Sequence, residues 1–247
     1  MFGPKLKASL QAFVSYGGMT LILAGCGAGN NPSDQKDPLL QSSESATFDT
    51  VTRLGSHHFE AELVRESIFN GQETIEKVVV DWGDWDNFQL QRYRNDRLRA
   101  ETRVVHATAY AKSGKGRFRQ ASDAELYRVE MRHSASFWGR ALEAFRGLVH
   151  AEKKEGAMIN GRAARRYELS LRGEENAPSR GHKAIELIGE MWIDEATAIR
   201  LSGQLNGRYL KNGHQDKEVR ISLKLKRSEI GIQPLIEKPR NPRKSGF

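Results

Sequence analysis

Residues 199–226 read IRLSGQLNGRYLKNGHQDKEVRISLKLK, and apolar or small side chains occupy every second position in both halves of this stretch. A period of two predicts β-strands with one covered and one solvated face, which is typical of antiparallel sheets. The two halves flank Asn212-Gly213, a dipeptide that supplies the positive φ angles of tight hairpins. The covered positions would be Ile199, Leu201, Gly203, Leu205, Gly207 and Tyr209, followed by Val219, Ile221, Leu223 and Leu225.

The same alternation recurs along the rest of the chain. Two more Asn–Gly pairs, Asn70-Gly71 and Asn160-Gly161, lie between strand candidates, so at least three hairpins are expected. We therefore predict one antiparallel sheet of roughly nine to eleven strands, a size at which a sheet closes or curls. The additional strand candidates are residues 59–63, 75–79, 88–90, 104–110 and 167–171.

One segment has the period of a helix instead. Its apolar residues predict a helix over residues 136–149, with Ser134 or Ser136 able to cap its start. Shorter helices are expected at about 122–131 and near 46–54. The helical apolar positions are Phe137, Ala141, Phe145, Leu148 and Val149, widened by Trp138 and Leu142.

The apolar side of this helix has only the sheet to cover it. The predicted fold class is therefore α+β, mainly antiparallel β: a curled half-barrel sheet with helices packed on its concave face. The helical stripe then has two interpretations, as ordinary core or as part of the lining of an apolar hollow that holds an acyl chain. The candidate lining residues are Phe137, Trp138, Ala141, Leu142, Phe145 and Leu148.

A basic stretch also has two interpretations. It is a solvated sheet face balanced by nearby acids, or it contacts phosphorylated lipid head groups. The candidate head-group residues are Arg92, Arg94, Arg97 and Arg99, with Arg103 at the end of the stretch.

The N-terminus resembles the leader of a bacterial lipoprotein. Two lysines precede a short, largely apolar run, which is the arrangement of a secretory signal. The run ends in Leu23-Ala24-Gly25-Cys26, which resembles a lipobox, so we expect cleavage before Cys26 and acylation of its thiol. An ordinary cleaved signal and a retained anchor helix are the alternatives. Because Gly27 rather than Asp follows the cysteine, the resemblance implies the outer membrane, facing the periplasm.

These features divide the chain into four segments. Residues 1–25 are a predicted lipoprotein signal peptide, and residues 26–47 an acylated cysteine with a flexible tether rich in small and polar residues. Residues 48–239 are the predicted half-barrel domain, and residues 240–247 a basic, disordered tail. The formal charge of +8 becomes +6 when the two leader lysines, Lys5 and Lys7, are subtracted. Outside the inner membrane this charge favours anionic lipid over nucleic acid as a partner.

Three segments carry a resemblance to a known superfamily. Residues 158–169 (MINGRAARRYEL), 189–201 (GEMWIDEATAIRL) and 230–239 (IGIQPLIEKP) resemble strand-pair, hairpin and closing-edge motifs of the lipoprotein-carrier superfamily, the LolA/LolB-like and LppX-like proteins. That superfamily includes a periplasmic carrier of lipoproteins, its outer-membrane receptor and mycobacterial lipoproteins that bind triacylated lipids. The resemblance implies a half-barrel that binds lipid. The lipobox differs from the soluble carrier, since an anchored protein does not shuttle freely.

The residues do not form an enzyme signature. There is no Gly-x-Ser-x-Gly nucleophile elbow, and residues 113–116 lack the rest of a phosphate loop. The adjacent His57 and His58 point to opposite faces of a strand, and Asp81, Asp84 and Asp86 lack the spacing of a calcium loop. We therefore expect no catalysis, no cofactor and no metal.

The sequence predicts a membrane-anchored lipoprotein of the cell envelope that binds a lipid or lipoprotein acyl chain in an apolar hollow. Outer-membrane lipid or lipoprotein trafficking would be its setting. The alternative is a non-catalytic structural, interaction or sensor lipoprotein with the same scaffold and a solid core.

Overall fold

A computed structural model describes residues 37–45, 51–121, 123–134, 136–172, 182–211 and 217–243. The predicted signal peptide, the lipobox Leu23-Ala24-Gly25, the lipidation site Cys26 and most of the predicted tether lie outside the described residues, as does Asn212-Gly213. The range Lys36–Phe247 forms one compact unit with its own hydrophobic core.

The described residues form one open, antiparallel sheet of eleven strands. The strand order is β6-β5-β4-β3-β2-β1-β11-β10-β9-β8-β7, so two meanders join where β1 pairs with β11. The predicted fold class, a curled half-barrel with helices on its face, is confirmed. The strands are β1 His57–Ser67, β2 Gln72–Asp84, β3 Asn87–Arg94, β4 Arg97–Val105, β5 Thr108–Ser113, β6 Arg119–Gln120, β7 Val149–Ile159, β8 Arg162–Leu171, β9 His182–Asp194, β10 Arg200–Lys211 and β11 Glu218–Ser228.

Three α-helices accompany the sheet in the described part of the chain: α1 Pro38–Ser45, α2 Glu125–Ser134 and α3 Phe137–Leu142. The strands β6 and β7 are opposite edges of the sheet, so the segment that carries α2 and α3 has to cross its whole width. Short 3₁₀ turns cover Thr52–Leu54 and Glu143–Phe145.

The helix predicted over residues 136–149 is shorter than expected. It ends at Leu142, and after the 3₁₀ turn Gly147 adopts a φ of 81°, a left-handed conformation that favours glycine and stops a helix. Val149 then begins β7 and pairs with Leu171. The helix predicted at 122–131 starts three residues later, where the Asp123 carboxylate accepts the Glu125 amide at 2.8 Å. The helix expected near 46–54 lies largely outside the described residues.

The helix α1 lies within the range of the predicted tether, residues 26–47. Asp37 precedes α1, and its Oδ1 accepts the Leu39 amide at 2.9 Å and the Tyr167 hydroxyl at 2.9 Å. Lys153 donates to the other carboxylate oxygen at 2.8 Å. Burial opposes the charge of Asp37, but these donors lower its pKa to about 2. Leu40 lies buried in the main core, which is why α1 is part of the folded unit.

Two of the three segments that carry the family resemblance meet at a partly buried ion pair. The Asn160-Gly161 hairpin has φ values of 50° and 76°, as predicted for a tight turn, and leads directly into Arg162. The Arg162 guanidinium donates to both carboxylate oxygens of Asp194 at 2.7 and 2.8 Å. Thr197 donates to the same carboxylate from its amide and its hydroxyl, at 2.9 and 2.5 Å. These contacts tie the β7–β8 hairpin to the end of β9.

The main core lies between the sheet and the crossing segment. Two glycines of β10 make room for its largest side chains: a Cβ at Gly203 would lie 2.6 Å from Trp138, and a Cβ at Gly207 would lie 2.6 Å from Phe145. The alternating glycines of β10 therefore leave room for aromatic rings to pack against the strand. A smaller cluster contains Val51, Leu54, Ala164, Ile199 and Leu201.

The C-terminal segment follows the sheet to its edge. The Gly231 amide donates to the Ser56 carbonyl, Gln233 lies against Gly83, and the Glu237 carbonyl accepts from Arg103. At the far edge Arg243 forms a parallel bridge with Arg119. Within the predicted disordered tail, Arg243 is thus attached to β6, while residues 244–247 lie outside the described residues.

Substituting Gly207→Ala should destabilise the fold, because the added methyl group would clash with a ring that is fully buried. We expect a loss of about 1–3 kcal/mol in the free energy of unfolding, the usual cost of overpacking a core. Urea denaturation measures this change.

Gly139→Ala is the matched control, since a Cβ there meets nothing within 4 Å and the position is helical. It should be neutral or stabilising by about 0.5 kcal/mol. Equal effects of the two variants would contradict the packing of Phe145 on β10.

Candidate functional site

A cleft lies between α2 and the strands β2–β5. It consists of a larger cavity of about 1000 Å³ and a smaller one of about 550 Å³. The two cavities share Arg92, Leu126, Tyr127 and Glu130 in their walls, so they are neighbouring parts of one cleft.

Helix α2 is held above the sheet by one of its sides. Arg128 donates to the Trp85 carbonyl at 3.2 Å and to the Asp86 carboxylate at 2.7 Å. The Arg132 guanidinium lies 4.7 Å from the Trp85 ring centroid, and Met131 is fully buried. These contacts attach α2 to the turn between β2 and β3.

The other side of α2 leaves apolar surface at the cleft. Leu126 is 63% exposed and Val129 is 38% exposed, although both are apolar residues on a helix that packs on a core. Leu126 lines both cavities and Val129 lines the smaller one. Exposed apolar surface beside a cavity is the usual property of a binding groove.

The cavity has space because the strands beneath it carry small side chains. Ala100 of β4 and Ala111 of β5 line the larger cavity, together with Thr102. Nearer the turn between β2 and β3, the sheet carries larger residues such as Phe88 and Leu90, which are buried in the core. The change from large to small side chains along the sheet thus opens the cleft.

Cationic side chains dominate the larger cavity. Five of its lining residues are basic and two are acidic. Arg92 forms an ion pair with Glu130 of α2, and Lys112 pairs with Glu101 at 2.8 Å. The basic residues are Arg92, Lys112, Arg117, Arg119 and Arg243, and the acidic ones are Asp123 and Glu130.

The predicted hollow-lining residues lie mainly in the core. Phe137, Trp138, Ala141 and Phe145 are buried, and Leu142 and Leu148 pack against the same cluster. Phe137 also lines the smaller cavity, so it connects the core to the cleft. A lipid-lining role for the other residues stays a prediction.

The predicted head-group arginines are not brought together. Arg92 lines both cavities, whereas Arg94, Arg97 and Arg99 are exposed and lie outside the walls of the cleft. Arg94 and Arg97 are register partners beside the turn between β3 and β4. Arg103 pairs with Glu101 at 2.7 Å and lies 5.1 Å from the Phe118 ring centroid.

Sequence reasoning missed several residues of the cleft. Leu126 and Tyr127 belong to α2, whose helix was predicted without a role. Arg119 lies on a two-residue strand, and Arg243 lies in the range taken as a tail. The one feature of the sequence that could have indicated the cleft was the run of small residues that includes Ala109 and Ala111.

The two adjacent histidines titrate in opposite directions. Burial and the positive charge of Arg227 lower the pKa of His57 to about 4, and its Nδ1 donates to the Gly55 carbonyl at 2.8 Å. Burial opposes the charged form of His58 as well, but hydrogen bonds to Asp81 and Glu60 raise its pKa above the ordinary value. The Arg227 guanidinium itself is buried 4.5 Å from the Phe59 ring centroid.

The described residues also bear on a metal site and on a membrane-spanning helix. No group of three His, Cys, Asp or Glu side chains within these residues could hold a metal ion. Asp84 instead accepts the Asp86 amide at 2.7 Å and stabilises the turn between β2 and β3. Among the helices that the structure describes, none is long and apolar enough to cross a bilayer.

No protein-family model matches the sequence, and comparison with curated proteins finds no match. Among solved structures, the lipoprotein LppX from Mycobacterium tuberculosis is similar at 11% identity, over 84% of this chain and 100% of that one, with a TM-score of 0.37. LprF from Mycobacterium bovis is similar at 14% identity, over 82% and 97% of the two chains, with a TM-score of 0.35. A LolA superfamily protein from Nitrosomonas europaea is similar at 9% identity, over 76% and 89%, with a TM-score of 0.25.

The titles of these structures name the superfamily that the sequence motifs resemble. The function follows from the residues of this chain, because identities and TM-scores this low do not transfer a ligand.

The low pKa of His57 predicts a pH-dependent stability. The unfolded chain binds a proton near pH 6.5, whereas the folded chain binds it only near pH 4. The contribution of His57 is therefore complete above pH 6.5 and is lost as the pH falls towards 4, by about 1.4 kcal/mol per pH unit. Urea denaturation between pH 6.5 and 5 measures this slope.

His57→Gln retains a donor for the Gly55 carbonyl and removes the titration. Its free energy of unfolding should vary less over this interval than that of the wild type. A slope unchanged by the substitution would show that another group is responsible.

Proposed function

We propose that the protein is a membrane-anchored lipoprotein that binds a lipid, or the acyl chain of a lipoprotein, in the cleft beneath α2, without catalysis. The observation that carries the proposal is an open cleft with exposed apolar helix residues on one wall and small strand residues on the other. Its dimensions suit such a ligand, since sites for small molecules commonly enclose about 300–1000 Å³.

Burial of an acyl chain would supply the affinity. Each methylene removed from water contributes about 0.8 kcal/mol, so about ten methylenes against Leu126, Tyr127 and Ala100 would supply about 8 kcal/mol. The smaller cavity extends the same apolar surface as far as Phe137. A chain that enters between α2 and the sheet therefore meets Leu126 and Tyr127 in both cavities and Phe137 in the smaller one.

Acylation of the lipobox cysteine, Cys26, would hold the protein and its cleft at a membrane. Acylation at Cys26 with more than one chain anchors a protein stably, because a single chain binds only marginally. We place the protein in the cell envelope, with the outer membrane facing the periplasm as its site. Lipid or lipoprotein trafficking at that membrane is the setting that we propose.

A second candidate function is supported by the packing of α3. Its aromatic residues fill the concave face over β10, so the sheet on that side has a solid core. A structural, interaction or sensor lipoprotein would need no more than this scaffold and an exposed surface. The open cleft over the other half of the same face favours the lipid-binding function.

Filling the larger cavity should abolish lipid binding while the fold is retained. Ala100→Phe places an aromatic ring on the cleft wall, where we expect it to occupy the space of the acyl chain. The measurement is native mass spectrometry of residues 27–247, which contain the whole compact unit, followed by organic extraction. The wild type should carry a lipid of defined mass, and the variant should carry several-fold less.

Ser170→Phe is the matched control, since Ser170 is an exposed strand residue in a groove that does not include α2. It should retain the lipid of the wild type. A wild-type protein that stays free of lipid after incubation with envelope lipids would overturn the proposal and support the interaction lipoprotein.

A further inference from the structure

The arginines at the edge of the larger cavity are not required by an acyl-chain site. Arg117, Arg119 and Arg243 are exposed and line this cavity. None of them forms an ion pair with a carboxylate among the residues that the structure describes, although several other arginines do. Three unneutralised guanidinium groups beside an apolar cleft favour a negatively charged ligand.

The backbone holds two of these arginines together. Arg119 and Arg243 are bridge partners, although they are far apart in sequence. The Arg243 amide donates to the Phe118 carbonyl, and the Gln120 amide donates to the Arg243 carbonyl, each at 2.9 Å. The end of the chain thus completes one wall of the cavity and brings a second guanidinium to it.

A fourth arginine, Arg92, lies where the two cavities meet. Arg92 extends from β3 to Glu130 of α2, and this ion pair spans the cleft between sheet and helix. The Arg92 side chain is 42% exposed and that of Glu130 is 26% exposed, so a ligand in the cleft can reach the pair. Glu130 is then a competitor that an anion must displace from Arg92.

We propose that the bound lipid carries a phosphate-bearing head group of net negative charge, held by Arg119 and Arg243 at the cavity edge and by Arg92 further in. This inference rests on the proposed lipid-binding function and adds the chemical class of the ligand. Guanidinium groups bind phosphate oxygens through paired hydrogen bonds, which are stronger than bonds between neutral groups. The acyl chains would lie beneath Leu126 and Tyr127, as the apolar wall requires.

The test compares two soluble short-chain lipids by isothermal titration calorimetry on delipidated residues 27–247. Dihexanoylphosphatidylglycerol carries a net negative charge and dihexanoylphosphatidylcholine carries none. We expect the first to bind about tenfold more tightly, the usual gain from hydrogen bonds between charged groups. Added salt should reduce this preference, because the arginines are exposed to solvent.

Three variants test the residues that would hold the head group. The double variant Arg119→Gln/Arg243→Gln should lose most of the preference for the anionic lipid. Glu130→Gln should bind the anionic lipid more tightly than the wild type, because it frees Arg92 from its partner. If the Arg92–Glu130 pair only holds α2 on the sheet, Glu130→Gln would instead bind the anionic lipid more weakly than the wild type. Arg97→Gln/Arg99→Gln removes the same number of charges as the double variant and should leave the preference unchanged, since both arginines lie outside the walls of the cleft.

The outcomes separate the two proposals. Equal affinity for both lipids would overturn the head-group inference and leave the lipid-binding function intact, whereas no binding of either lipid would overturn both. If Arg97→Gln/Arg99→Gln loses as much of the preference as Arg119→Gln/Arg243→Gln, the preference arises from overall charge and the assigned site is overturned. Glycerol 3-phosphate that binds as tightly as the anionic lipid would identify a site for free phosphates and likewise overturn the inference.

Discussion

The close approach of aromatic rings to two glycines of β10 is the constraint on which the rest of the structure depends. Trp138 and Phe145 occupy positions that a Cβ on Gly203 or Gly207 would reach within 2.6 Å. Their packing fixes the crossing segment over the middle of the sheet. The segment between β6 and Phe137 carries α2 above β2–β5, where the small side chains of β4 and β5 leave space for the cleft.

The concave face is therefore divided into two functional halves. On the side of β10, aromatic rings pack against glycines and form a solid core that contributes stability. On the side of β4 and β5, alanines and a threonine face a helix whose apolar residues are partly exposed, which gives a cleft. A sheet of this size supports both halves because the first packs tightly enough to offset the apolar surface that the second leaves open.

Charge is distributed with the same asymmetry. Arg162 is neutralised by the buried carboxylate of Asp194, a pair that connects two hairpins, and burial raises the cost of either charge alone. In the cleft, by contrast, Arg119 and Arg243 face solvent across an apolar hollow. Paired arginines thus serve the fold, and the arginines at the cleft are available to a ligand.

The sequence by itself determined the antiparallel sheet, the hairpin at Asn160-Gly161 and the presence of two helices between the meanders, because period and turn chemistry are local properties. It did not reveal that Gly147 ends the predicted helix, that residues 38–45 pack in the core, or that Arg243 completes the cleft. Of the candidate head-group arginines, only Arg92 reaches the cleft, since the register of a strand decides which side chains share a face. Only the tertiary structure decided the site, because Arg119 and Arg243 become neighbours through long-range pairing that no local pattern encodes.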